Sequence, residues 1–230
     1  MNRQHSITEQ FLEVRARIDA AARDCGRTPD AVRLLAVSKG FPVEDLRAAQ
    51  RAGQDCFGES YLNEALSKLA ALTDPAPEWH FIGPLQSNKT RPIAEQFAWV
   101  HSLDRLKLAQ RLNEQRPAAL PPLNVCIQVN ISGEASKSGV RLDDLVTLAA
   151  AVAALPRLRL RGLMAIPAPS DDPLIQRAAF RRLRLARDDL NARGLQLDTL
   201  SMGMSDDLEA AIAEGATIVR VGSALFGARD

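Results

Sequence analysis

The chain has 230 residues, 46% of them hydrophobic, and its 29 basic and 28 acidic side chains leave a net charge of +1. That is enough apolar material for one large domain or two small ones. Aromatics make up only 4% and no basic stripe interleaves with them, which disfavours a nucleic-acid platform.

From about 7 to 23, Phe11, Val14, Arg15 and Ile18 recur at helical spacing, with Thr8 as the expected N-cap and Gly26 past the end. Strand-like and helix-like segments then alternate. Residues 34–38 read as a strand, followed by a helix over 43–52 with Pro42 at its start and Gly53 at its end. A short strand at 55–58 precedes a helix around 61–72, and a strand at 79–83 precedes a helix over 87–96. Residues 99–102 form the fourth strand, with Asp104 expected to cap a helix to Gln115. The branched run 123–130 is the fifth strand, with a polar loop and a helix at 142–155 after it. Strand 158–166 leads to a long amphipathic helix over 172–193 that Gly194 ends. Strand 200–202, helix 206–214, strand 217–221 and a short helix from Ser223 complete the chain.

Eight strands, each followed by a helix, imply a parallel sheet, and that number in about 250 residues is the arithmetic of a closed (β/α)8 TIM barrel. The competitor, an open doubly wound sheet, lacks its G-x-G-x-x-G signature after the first strand. No linker or repeat interrupts the chain, so we expect one domain over 1–230, with 1–27 as an extra N-terminal helix packed on the barrel.

Cys25, Cys56 and Cys126 are odd in number and far apart, which suits reduced thiols rather than disulfides or a zinc cluster. The first residues lack the apolar core of a signal peptide, and the longest apolar stretch, 145–155, is too short to span a bilayer. The expectation is a cytoplasmic protein with no membrane or nucleic-acid partner.

Two regions carry chemistry. In strand 34–38, Leu35, Val37 and Lys39 share one face, so Lys39 continues an inward row to the carboxyl end, where barrel enzymes keep their active sites. A desolvated lysine amine is suited to Schiff-base formation; the alternative is a surface lysine snorkelling at a strand end. The second region is the pair of loops after strands seven and eight, 201–207 and 220–227, where barrels often hold phosphate. Gly203 and Gly222 allow close backbone approach, and Ser201 and Ser223 bring hydroxyls, although glycine and serine also serve simply as turn and cap residues. Arg220, inward on the last strand, needs an acceptor: an acidic neighbour or a ligand heteroatom. Strand eight closes onto strand one, so amine, arginine and phosphate cradle fall side by side. An aldehyde-bearing phosphorylated heteroaromatic, pyridoxal 5′-phosphate, fits that set.

Several segments also resemble a known family: Ala36-Val37-Ser38-Lys39, Phe57-Gly58-Glu59, the run 79–89 from Trp79 to Lys89, the run 129–139, Gly162-Leu163-Met164-Ala165-Ile166-Pro167, 200–213 and 220–230. Together they look like the YggS/PROSC-type pyridoxal-phosphate homeostasis proteins over essentially residues 30–230. The resemblance implies a fold-type III barrel like the N-terminal domain of alanine racemase, without that enzyme's C-terminal β-domain. By matching motif, Lys39 would be the Schiff-base lysine, Arg220 would face the pyridine nitrogen, and Ser201, Gly222 and Ser223 would hold the phosphate. Serine replaces the family's usual threonine at 223 and its usual asparagine at 60, and Gly40-Phe41 replace a more polar continuation after Lys39.

A permanent cation opposite the ring nitrogen cannot hand it a proton, which makes the ring a weak electron sink and disfavours broad carbanion chemistry. The expected role is a monomeric carrier that buffers the cofactor or passes it to apo-enzymes, and so influences amino-acid and keto-acid metabolism. The rivals are a racemase or lyase of low activity and a barrel for another phosphorylated ligand. The only tyrosine, Tyr61, shows no sign of serving as a second base. Other candidates are His80, which reads first as a core histidine, and Lys137, either a second amine or a solvated charge. Gln86, Asn88 and Lys89 sit on the same mouth, and Asp206 and Asp207 read as helix-start carboxylates. His5 and His101 have no partner at metal-ligand spacing.

Overall fold

The computed structural model describes residues 3–134 and 137–228, so the ends of the expected 1–230 unit and part of the 129–139 motif lie outside the described residues. Eight parallel strands close into a barrel in chain order, as expected: β1 (Arg33–Val37), β2 (Cys56–Glu59), β3 (Glu78–Phe81), β4 (Trp99–Leu103), β5 (Leu123–Gln128), β6 (Leu158–Met164), β7 (Thr199–Ser201) and β8 (Ile218–Val221). Closure is made by β1 against β8, with Leu35 opposite Arg220. The helices are α1 (Arg3–Asp24), α2 (Val43–Arg51), α3 (Leu62–Ala71), α4 (Thr90–Gln96), α5 (Leu106–Gln115), α6 (Leu142–Ala153), α7 (Pro173–Ala192), α8 (Leu208–Ala213) and α9 (Ser223–Phe226). None of the described helices is long and apolar enough to cross a membrane.

Alternation along the strands sorts residues into two cores. Leu34 and Ala36 point outward into the large cluster shared with the helices. Leu35 points inward to meet Cys56, Ile218 and Ile82, and deeper around the ring Trp99 packs with Cys126 and Met164. The interior is not wholly apolar. Arg33, Glu78, His80, His101, Ser201 and Arg220 also form hydrogen bonds within it.

On the outside, α1 buries Ile7, Phe11, Val14 and Ile18, the helical stripe expected of it, and packs against α2, α8 and α9. Arg3 donates to Asp45 at the start of α2 (2.7 Å), and Arg17 to Glu209 of α8 (2.8 Å). Thr8 lies inside this helix and is not its N-cap, because the helix begins at Arg3. Asp104 does not cap α5 either. That helix starts at Leu106, and the Asp104 carboxylate is taken by the Arg105 guanidinium at 2.8 Å. Where an aspartate does cap, the reason is local: Asp172 Oδ1 accepts from Leu174 N at 2.8 Å, with Pro173 at the first helical position.

Candidate functional site

The carboxyl-terminal rim holds a cavity of about 220 Å³ whose wall includes Lys39 after β1, Arg220 and Gly222 on and after β8, and Ser223 at the start of α9. Val37, Ile82, Met164, Ile166 and Met204 supply apolar walls, and Ser60, Ser205 and Asp206 the remaining polar ones. Apolar walls together with an amine, a guanidinium and hydroxyls suit a ring bearing an aldehyde and an anion. A larger hollow of about 400 Å³ opens at the opposite rim beside Arg33, Gln54 and Asp55. Its Arg33 is already neutralised by Glu78 and Asp55, and barrel chemistry sits at the carboxyl rim, so the smaller cavity is the functional candidate.

Lys39 is half-buried on the inward row, and a buried ion cluster grips the peptide groups on both sides of it. Lys68 of α3, 4% exposed, donates to the Ser38 carbonyl (2.6 Å), to Glu59 Oε1 (2.7 Å) and to Glu64 Oε1 (2.5 Å). Glu64 Oε1 in turn accepts the Gly40 N–H at 2.6 Å, and the Ser38 hydroxyl donates to Glu59 Oε1 at 2.6 Å. Burial pushes the Glu59 carboxyl above its ordinary range, against the pull of hydrogen bonds from Lys68 and Ser38. Nothing in the sequence singled out Lys68 for this role; its only signal was Glu64 one helical turn earlier, which reads equally as a surface pair.

Arg220, 4% exposed, donates through one terminal nitrogen to Ser201 Oγ (2.9 Å) and through the other to the Ala165 carbonyl (3.0 Å). Burial lowers its pKa to about 10, partly offset by Asp207 and Cys126, so the guanidinium remains charged at neutral pH. Among the described residues no carboxylate is hydrogen-bonded to it.

The expected site residues divide. Lys39, Arg220, Gly222 and Ser223 line the cavity. At Gly222 a Cβ would stand 3.3 Å from the Val37 carbonyl oxygen, so glycine keeps β8 and β1 close at the rim. Gly203 does not line it. Its left-handed backbone (φ +93°) turns the loop, its carbonyl accepts the Arg220 N–H at 2.9 Å, and a Cβ would strike Ala211. Ser201 lies behind Arg220 and is fully buried, because β7 runs over Thr199–Ser201 and directs that hydroxyl into the barrel. The cavity serine of this loop is Ser205, which sequence reading passed over. Its hydroxyl meets Ser223 Oγ at 3.2 Å and the Ala224 N–H at 3.4 Å.

The secondary candidates separate as well. His80 is the core histidine it reads as, joined to His101 and Glu78. Lys137 lines another cavity, with Asn130, Arg141 and Arg182, and approaches Glu134 at 3.6 Å. Gln86 and Asn88 are exposed and line no part of the rim cavity, and neither do Lys89 and Tyr61. Asp207 holds the Met204 N–H at 2.6 Å in the turn before α8. Among the described residues no group of three or more His, Cys, Asp or Glu could hold a metal.

The chain is similar to known proteins along nearly its whole length. Residues 13–230 match the family described as alanine racemase, N-terminal domain. A pyridoxal phosphate homeostasis protein of Pseudomonas aeruginosa is 65% identical over 225 residues, covering 98% of this chain and 96% of that one. Its namesake from Escherichia coli K12 is 55% identical over 229 residues, with 98% of each covered. Among solved structures, PipY of Synechococcus elongatus with pyridoxal phosphate bound has a TM-score of 0.84 and 37% identity, covering 96% of this chain and all of that one. Alanine racemase of Corynebacterium glutamicum, 19% identical with a TM-score of 0.74, shares the fold over 62% of its own length. A closed barrel with an amine and an arginine at one rim, and relatives this similar along its whole length, place the chain in the pyridoxal phosphate homeostasis family, built on the alanine racemase N-terminal-domain fold.

Proposed function

We propose that this protein binds pyridoxal 5′-phosphate reversibly in the rim cavity and serves to hold and release it, with Lys39 as the point of covalent attachment. The observation that carries the reading is the convergence of Lys39, Arg220, Ser205 and Ser223 on one apolar-walled cavity. Its donor set suits the cofactor, and a relative that covers nearly the whole chain is known with the cofactor bound. When present, the cofactor supplies an aldehyde that condenses with an unprotonated lysine amine, releasing water.

The chain's own residues set the limits of that chemistry. Lys39 is held by the bonds on Ser38 and Gly40, so its stem leaves the strand end in one direction. Arg220 keeps its protons at neutral pH and offers only donors, so a ring nitrogen beside it remains an acceptor. Arg220 delivers no proton to it, which fits a carrier better than a racemase or lyase. Ser205 and Ser223 offer hydroxyls from two loops to an anionic group, and Gly222 brings the backbone close. We further propose that apo-enzymes are the recipients and that the carrier acts as a cytoplasmic monomer.

Borohydride reduction of the protein loaded with cofactor, followed by peptide mapping, tests the assignment. A pyridoxyl group on Lys39, lost in Lys39→Ala, is the expected result; its absence from Lys39 in the native chain overturns it. Sustained amino-acid racemisation by the native chain would favour the enzyme reading. Ser205→Ala is expected to weaken retention of pyridoxal 5′-phosphate by roughly tenfold, the scale of one hydrogen bond to a charged group. Capture of pyridoxal, the same aldehyde without phosphate, should be unchanged. Equal losses for both compounds in a fluorescence titration would remove Ser205 from the anion site.

A further inference from the structure

A line of buried polar side chains crosses the barrel from the cofactor rim to the opposite one. Arg220 donates to Ser201 Oγ (2.9 Å), and Ser201 Oγ meets His101 Nδ1 (2.8 Å). His101 Nε2 meets His80 Nδ1 (2.9 Å), and His80 Nε2 meets Glu78 Oε1 (2.9 Å). Glu78 ends at Arg33, which also reaches Asp55 at 3.2 Å. Ser201 and both histidines are fully buried. Trp99 stacks on His80 with ring centroids 5.3 Å apart and planes 4° from parallel, which fixes the ring's orientation.

The carboxylate end of this line dictates its direction. A guanidinium only donates, so Ser201 Oγ accepts from Arg220, and its hydrogen and second lone pair leave it able either to donate to His101 Nδ1 or to accept from it; the carboxylate at the other end settles which. At that end Glu78 only accepts, so a neutral His80 keeps its Nδ1 bare, and His101 must carry its proton on Nε2 and donate there, which leaves its own bare Nδ1 for the Ser201 hydrogen. His80 likewise carries its proton on Nε2 and donates to Glu78, which as a carboxylate only accepts. Each link is satisfied once, and a single pair of tautomers satisfies them all. Reversing one ring would set two bare nitrogens or two N–H groups against each other in a dry interior, a costly arrangement.

We propose that Ser201, His101, His80 and Glu78 are positioning residues: a one-way hydrogen-bond relay, anchored on a carboxylate at the far rim, that holds the Arg220 guanidinium where it meets the cofactor ring. The proposal rests on the cofactor reading above. It assigns Ser201 to Arg220 rather than to the phosphate, and it explains how a buried guanidinium without an adjacent carboxylate is held in one place. The Ala165 carbonyl restrains only one of its terminal nitrogens, and the relay restrains the other.

Two measurements test it. Long-range 1H–15N correlation spectra of the unmodified, cofactor-free protein labelled at histidine read the tautomers directly. The expected result is a bare Nδ1 and a protonated Nε2 on both His80 and His101; a protonated Nδ1 on either overturns the relay. The second measurement is a titration with pyridoxal 5′-phosphate, with melting curves run alongside. His101→Phe, which cuts the relay, should weaken retention about tenfold, and Glu78→Gln, remote from the cavity, about threefold. His101→Gln, which can accept from Ser201 and donate to His80, should stay within about twofold of native. Native retention in both His101→Phe and Glu78→Gln overturns the proposal even if both variants melt earlier. Failure of Lys39 to be labelled in the native chain would strike the cofactor reading instead, and the tautomer spectra would still decide the relay.

Discussion

Lys68→Met is expected to lower the melting temperature by roughly 6–20 °C, the counterpart of about 3–5 kcal/mol in a chain of this size. Lys68 donates to Glu59, Glu64 and the Ser38 carbonyl, and methionine fills its volume without its three donors. Glu59 is then left fully buried with only the Ser38 hydroxyl, and its second carboxylate oxygen already has no partner. Breaking a buried pair costs more than making it contributes, because the remaining charge stays dry. Glu59 can limit the loss by taking a proton, since burial already raises its pKa, so the damage should ease as the pH falls. Glu59→Gln keeps an acceptor for Lys68 and Ser38 and should cost less. The double variant Lys68→Met/Glu59→Leu, which removes both charges, should recover part of the stability. A melting temperature for Lys68→Met within 2 °C of native at pH 7.5 would show that the cluster contributes little, on the scale by which a kilocalorie is read for such a chain.

That cluster also marks where sequence reading stops. The barrel was legible because its signal repeats: eight apolar runs, each followed by a helical stripe, leave few topologies. Lys39 was legible because parity in a strand is rigid, and Leu35, Val37 and Lys39 could only share a face. Ser201 shows the limit of the same argument. Read as the first residue of the loop 201–207, its hydroxyl belongs to the rim; in the observed strand Thr199–Ser201 it is the last strand residue and faces the barrel interior, and Ser205 stands at the cavity. Where a strand ends decides whether its last polar side chain is a loop group or an interior one. Lys68 and the His80–His101 pair were hidden for another reason. Their partners lie 9, 21, 30 and 100 residues away, and nothing local says that a lysine on a helix or a histidine in a strand is buried against them.

Acid should expose the same buried imidazoles. Burial holds His80 below its ordinary 6.5, although Glu78 pulls it upward, and holds His101 well below it. The folded chain therefore keeps both rings neutral where the unfolded chain protonates them. For a folded pKa that is depressed, the stabilising contribution is complete above 6.5 and is lost as the pH drops beneath it. Each ring that stays neutral costs roughly 1.4 kcal/mol per pH unit in that range, so the pair should set a slope of up to about 2.7 kcal/mol per unit. Glu78, held at about 2 chiefly by its bond from His80, acts in a different interval, between its ordinary 4.5 and that lower value. Glu59 and Asp207, both raised by burial, take up protons on folding as the pH falls toward their ordinary 4.5 and 3.8, and so oppose the loss. The imidazoles are the groups whose loss begins at 6.5, and His101→Gln separates their share from that of the carboxyls. Urea unfolding of the cofactor-free protein at pH 7.5, 6.5, 6.0 and 5.5 should show stability falling from about 6.5 downward, with His101→Gln showing roughly half the native slope. Slopes equal to native in that variant, or a native chain equally stable at every pH, would mean that the rings take up protons inside the fold and that the line from Arg220 to Glu78 runs without a fixed direction.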